Sequence, residues 1–211
     1  STIYSIYNYR RYAYFLQYRF STITVMLTEI TNTINQLKKG NTILYPTDTV
    51  WGIGCDATNF EAVKKIYQLK QREASKALIC LVSDLKMLEK YIQEVPEVAY
   101  QIIEFSNKPT TIIYDNPIGL ATNLIAEDNT LAIRIPKDEF CQKLIQQFRK
   151  PIVSTSANIA GEPTPNSFKE ITQAVLKGVD YVVNLQNEKI NTKPSTIIKL
   201  SNNGEVKIIR E

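Results

Sequence analysis

Lys70, Arg72 and Lys76 place three cations within seven residues, a pattern that suits a polyphosphate clamp. Arginine supplies a planar fork for phosphate oxygens and lysine a point charge. The chain has no Walker-type glycine loop, so these cations would have to do much of that binding. Cations at a helix end are also expected on dipole grounds alone. Ser154, Ser156 and Asn158 alternate, so on an extended backbone they point the same way and offer three neutral hydrogen-bonding groups. A turn satisfied by its own Ser and Asn side chains is the other reading. Arg134 sits inside an apolar run, where an unpaired charge is costly, so it must find a structural carboxylate or an anionic ligand. Asp48 and Glu73 offer a carboxylate pair for acid–base work, although nothing in their spacing requires one. No Asp/Glu cluster announces a metal site.

The elements that must position these groups begin with a short apolar strand over residues 42–45, ended by Pro46, which has no N–H for a ladder. Thr47, Asp48 and Thr49 then lie at its carboxyl end, in a loop whose Gly52 and Gly54 let backbone approach a ligand. Upstream, Ile30, Ile34 and Leu37 share one helical face, with Gly40 as the stop. Asn59 is the expected N-cap of a helix carrying Val63, Ile66 and Tyr67, which delivers Lys70, Gln71 and Arg72 at its end. Residues 77–82 read as a strand, with Ser83 capping the next helix and Pro96 opening another. Strands follow at 110–114 and 130–135, a helix at 138–149, and a short buried strand at 151–153 leading into Ser154. A last helix after Ser167 precedes strands near 181–183, 196–198 and 206–209. Some adjacent strands lack a crossover helix, which predicts one α/β domain with a mixed sheet.

Composition narrows the class. Hydrophobic residues make up 44% and charged residues 22% of the 211-residue chain, ordinary for a globular protein. No apolar run approaches the ~20 residues of a membrane span. Cys55, Cys80 and Cys141 are scattered and odd in number, which fits free thiols in a reducing cytoplasm. There is no histidine, so His-based nucleophile triads are excluded. The net charge of +4 comes largely from residues 1–25, which hold Arg10, Arg11 and Arg19, no acid and half of the twelve tyrosines. With those three arginines set aside from the 25 basic residues, 21 acids leave a balance of about +1. That is too little for broad electrostatic capture of nucleic acid. Residues 1–25 show no clear period and read as an appendage to a domain over 26–211, with an added strand or dimer contact as the other reading.

Taken together, the segments from about Met26 onward resemble the YrdC family, the L-threonylcarbamoyladenylate synthases. The resemblance rests on Tyr45-Pro46-Thr47-Asp48-Thr49-Val50-Trp51-Gly52, the K-x-R of Lys70 and Arg72, and Ala132-Ile133-Arg134-Ile135-Pro136. It continues with the S-x-N of Ser156 and Asn158, then Gly161-Glu162-Pro163 and Ser195-Thr196-Ile197-Ile198. It implies a twisted α/β sheet around a deep, positively charged cavity. The implied activity converts L-threonine, bicarbonate and ATP, with Mg²⁺ arriving on the nucleotide, to threonylcarbamoyl-AMP and pyrophosphate for tRNA t6A modification. Lys70, Arg72, Ser156 and Asn158 would form the catalytic tetrad. Arg72, Lys76, Thr130, Ser156, Thr164 and Arg210 would hold ATP, and Thr49, Arg134, Ser154 and Ser195 the threonine. The implied partners are the substrates and a downstream tRNA threonylcarbamoyl-transfer complex, with tRNA itself a further candidate and no membrane.

The chain departs from the family pattern at three places. Lys76-Ala77-Leu78 replaces Asn-Pro-Leu, Leu81 stands where many members have histidine, and residues 107–111 replace a Pro-Gly-Pro-x-Thr segment. Glu211 follows Arg210 directly, so the resemblance is to the short, single-domain form. An RNA-binding YrdC/YciO-like protein without synthase activity is the alternative. The weak charge and the absence of aromatic RNA-binding motifs argue against it, and the K-x-R and S-x-N pairs argue against a YciO-like paralogue.

Overall fold

The computed structural model describes residues 2–73, 78–185 and 193–211, with side chains from residue 9 onward. Its centre is a mixed sheet of nine strands among the described residues, in the order β7-β1-β2-β6-β3-β5-β4-β8-β9. Strand β1 (Ile43–Tyr45) pairs antiparallel with β2 (Gly52–Gly54) and parallel with β7 (Tyr181–Val182). Strand β6 (Ile152–Ser156) joins β2 to β3 (Ile79–Leu81), antiparallel to both. Beyond β3 come β5 (Thr130–Arg134), β4 (Thr110–Asp115), β8 (Thr196–Leu200) and β9 (Val206–Arg210).

Side chains alternate between two apolar layers, as a two-faced sheet requires. Ile43, Tyr45, Leu81 and Ile152 pack with α1 (Thr2–Lys38) and α5 (Glu139–Phe148) through Ile30, Leu37, Phe140, Leu144 and Phe148. Leu44, Ile53, Cys80 and Val153 face the other way, onto Val63, Ile66 and Tyr67 of α2 (Phe60–Lys70). Helices α3 (Leu85–Tyr91) and α4 (Glu97–Phe105) add Leu88, Tyr91 and Ala99 to that layer.

Several local expectations are corrected. Gly52 and Gly54 form a strand rather than a ligand loop. A Cβ on Gly54 would lie 2.4 Å from the Val153 carbonyl oxygen and 2.7 Å from Tyr45 Cε1, so this glycine admits a neighbouring strand and a buried ring. Gly54→Ala is therefore expected to destabilise the fold by about 1–3 kcal/mol, the usual cost of overpacking, as a lowered urea midpoint. Helix α3 is capped by Asp84, whose carboxylate accepts from Met87 N at 2.8 Å, while Ser83 donates to Asp84 at 3.1 Å. Asp84 wins because a carboxylate accepts more strongly than a hydroxyl at the positive helix end. Pro96 occupies the cap position before α4 rather than the first helical one. After Ser167 a short 3₁₀ turn (Phe168–Glu170) precedes α6 (Gln173–Gly178).

The larger correction concerns the N-terminus, where no period was legible. One helix runs from Thr2 to Lys38. No glycine or proline interrupts it, and Thr22, Thr24, Thr28 and Thr31 donate their hydroxyls to carbonyls four residues back, so β-branched polar residues are satisfied inside it. Among its described side chains only those of the last turns are buried, through Glu29, Ile30, Thr33, Ile34 and Leu37. Glu29 fastens the helix to β7 by accepting from Tyr181 Oη at 2.7 Å and from Asn184 N at 3.0 Å.

Candidate active site

Two clusters hold most of the candidate residues. The first is built on the end of β5. Arg134 is 3% exposed and forms an ion pair with Asp48, with a longer contact of 3.4 Å to Thr49 Oγ1. Of the two partners the sequence left open, the protein itself provides the carboxylate. Asp48 thus serves as counter-ion to Arg134 and also accepts from Lys137 N at 3.1 Å. Thr47 shapes the loop, because its hydroxyl donates to Val50 O at 2.7 Å and accepts from Thr49 N at 3.1 Å.

On the neighbouring strand, Thr111 stands opposite Arg134 in register and its hydroxyl meets Ser195 Oγ at 2.7 Å. Arg210 donates from Nε at 3.0 Å and Nη2 at 2.8 Å to the Ser195 carbonyl. So Thr49, Arg134 and Ser195, distant along the chain, belong to one connected group. Arg210, expected on the nucleotide, braces the backbone of that group. Thr111 was not singled out from the sequence; its only signal is that it ends the 107–111 segment where the chain departs from the family pattern.

Tyr45 and Ser154 border this group. Burial pushes the Tyr45 phenol well above its usual range, against the opposing effects of the Ser154 hydroxyl and Arg134. The phenol stays protonated and donates to Val153 O at 2.9 Å. Asp138, cap of α5, is likewise raised by burial, with Asp48 adding to the shift and Cys141 N opposing it. Leu81, in place of a family histidine, packs among Tyr45 and Cys141 and pairs in register with Arg134.

The second cluster surrounds Lys70. Strand β6 runs through Ser156, longer than the sequence suggested, so Ser154 and Ser156 alternate on a true strand. Lys70, the last residue of α2, is 1% exposed and donates to Ser156 O at 2.6 Å and to Asn158 O at 2.8 Å. Burial, with Arg72 adding to it, lowers its ammonium to about 8. Gln71 adopts a left-handed conformation (φ 52°) that ends the helix and turns the chain to the half-buried Arg72. Asn158 is buried; its Nδ2 donates to Ile159 O at 3.1 Å and Glu162 O at 2.8 Å, closing the turn on itself. Ala157 N donates to Trp51 O at 3.1 Å, and the Trp51 ring lies 5.0 Å from that of Phe168.

Two candidates stand apart. Thr130 is at the opposite end of β5 from Arg134 and donates to Asp128 at 2.6 Å, the main cause holding that carboxyl below its usual range. Thr164 is half-buried in the loop after β6. Lys76 lies outside the described residues. Among the described residues, no group of three or more His, Cys, Asp or Glu is placed to hold a metal ion, and no helix is long and apolar enough to cross a membrane.

The family described as "Telomere recombination" (Sua5_yciO_yrdC) matches residues 35–211. A threonylcarbamoyl-AMP synthase of Pseudoalteromonas translucida is 36% identical over 179 residues, which cover 82% of this chain and 93% of that protein. Among solved structures, P. abyssi Sua5 complexed with L-threonine matches with a TM-score of 0.72 and 27% identity, covering 81% of this chain. This chain spans about half, 50%, of that one. E. coli YciO matches with a TM-score of 0.75 and 25% identity, over 86% of this chain and 88% of the other. The mixed sheet, the Arg134 group and the K-x-R and S-x-N segments thus sit in a chain that belongs to the Sua5/YciO/YrdC family.

Proposed function

We propose that this chain is a threonylcarbamoyl-AMP synthase, a nucleotidyltransferase that combines L-threonine, bicarbonate and ATP into threonylcarbamoyl-AMP, pyrophosphate and water. The observation that supports it most is the buried Arg134–Asp48 ion pair with Thr49 beside it, on a strand whose register partner Thr111 carries the Ser195 hydroxyl. The fold alone does not separate this activity from a YciO-like role, since both kinds of structure match comparably. The K-x-R and S-x-N pairs favour the synthase.

In this reading the Arg134 group receives threonine. Asp48 holds the guanidinium in place, and the hydroxyls of Thr49, Ser154 and Ser195 supply polar contacts at its rim. The threonine amino group takes up CO₂ from bicarbonate as a carbamate. A carbamate oxygen then attacks the α-phosphorus in line, the bond to the bridging oxygen breaks, and its electron pair leaves with pyrophosphate. No protein nucleophile is needed, so the absence of histidine is no obstacle. Arg72, Lys76 and the Ser156/Asn158 turn serve the triphosphate, whose Mg²⁺ enters with the substrate. Catalysis rests on positioning and charge neutralisation in one positively charged hollow. A separate cytoplasmic complex would then transfer the threonylcarbamoyl group to tRNA.

The test is pyrophosphate release that requires both threonine and bicarbonate. An RNA-binding protein would instead show no threonine-dependent turnover and an RNA affinity falling steeply with salt. Deleting residues 1–25 is expected to leave turnover unchanged, because every described side chain from 9 to 25 is exposed and none touches either cluster. A truncated chain that folds yet loses activity would refute that.

A further inference from the structure

We infer that Lys70 is a positioning residue: its ammonium ties down the backbone of the turn at 156–158 and so sets the direction of Ser156 and Asn158, rather than meeting the triphosphate itself. The inference rests on the synthase reading for its catalytic consequence, but its geometry stands alone. Residue 70 is stitched to the turn three times. Its Nζ donates to the carbonyls of Ser156 and Asn158 at 2.6 and 2.8 Å, and its own carbonyl accepts from Ala160 N at 2.8 Å. At 1% exposure the side chain lies beneath the turn instead of in the space above it.

The chemistry explains why lysine suits the position. An ammonium carries three donors spread tetrahedrally, so it can satisfy two carbonyls that converge from residues two apart. The planar arginine fork matches carboxylate or phosphate better than such a pair. Because the donor is charged, these bonds are stronger than neutral ones. Burial, with the Arg72 charge beside it, lowers the ammonium to about 8. Neutral bonds also hold the turn. Asn158 Nδ2 closes it from within, and Ala157 N holds it to Trp51 O. Removing Lys70 would leave the Asn158 carbonyl without its donor and the Ser156 carbonyl with the Asn158 N–H alone, and free the turn to shift.

The test uses the full chain carrying Lys70→Met, which keeps the apolar stem and removes the donors, beside the wild type. Hydrogen exchange read by mass spectrometry is expected to speed up at least ~10-fold in residues 156–162 of Lys70→Met. With the substrates, kcat should fall ~100-fold, the cost of a small misplacement. Affinity for a non-hydrolysable ATP analogue, measured by calorimetry, should stay within ~3-fold. Wild-type exchange in Lys70→Met would overturn the inference, as would a loss of ATP affinity matching the loss of kcat. Should Lys70→Met fail to fold, Lys70→Gln, with a shorter stem and two neutral donors, carries the same readouts. A wild-type protein that makes no adenylate but shows the expected exchange would refute the activity and leave the role of Lys70 in the turn intact.

Discussion

Arg134→Met is expected to cost about 3–5 kcal/mol of folding stability and to abolish threonine-dependent pyrophosphate release. The side chains of Arg134 and Asp48 are 3% and 11% exposed, so removing the guanidinium strands a buried carboxylate. Breaking one side of such a pair costs far more than the intact pair contributes, because the surviving charge has lost its compensation. Urea unfolding followed by circular dichroism measures the loss. The double variant Arg134→Met, Asp48→Leu removes both charges and is expected to recover a substantial part of the stability while remaining inactive. That separation matters, since it distinguishes an arginine that merely neutralises Asp48 from one that also meets a substrate. Recovery of both stability and turnover would assign Arg134 a structural role only.

Arg72→Ala should behave in the opposite way. The side chain is half-buried after the left-handed turn at Gln71, outside both apolar layers, so the fold is expected to keep a melting temperature within a few degrees of wild type. Turnover should fall ~100–1,000-fold, the range found when one preorganised donor to developing charge is removed. Arg72→Lys would restore only a fraction, because a point charge does not replace a planar fork. Equal turnover in wild type and Arg72→Ala would remove Arg72 from the mechanism.

The parts of the fold that sequence made legible are those decided locally. Pro46 ends β1, Asn59 caps α2 through a 3.1 Å bond to Ala62 N, and the apolar spacing of Phe140, Leu144, Ile145 and Phe148 marks α5. The mixed character of the sheet followed from strands without crossover helices. What was not legible is decided by long-range contact. Whether Arg134 would meet a carboxylate or a ligand depended on Asp48, 86 residues away. Lys70 read as a phosphate ligand from its spacing to Arg72; nothing local foretold its burial beneath a turn 86 to 88 residues distant. Gly52 and Gly54 carried the signature of a ligand loop; the Tyr45 ring beside both, the Ser154 hydroxyl at Gly52 and the Val153 carbonyl at Gly54 explain them as strand residues. The N-terminal helix was hidden for the converse reason. Its exposed aromatics and arginines follow no buried face until Glu29 and Ile30 reach the core.

The most direct test of the synthase reading is mass spectrometry of the products formed from ATP, L-threonine and ¹³C-labelled bicarbonate in the presence of Mg²⁺. A nucleotide adduct that contains threonine, carries the label and appears together with pyrophosphate is the expected result. A well-folded chain that yields no labelled adduct, or that forms threonyl-AMP without the bicarbonate carbon, would contradict it.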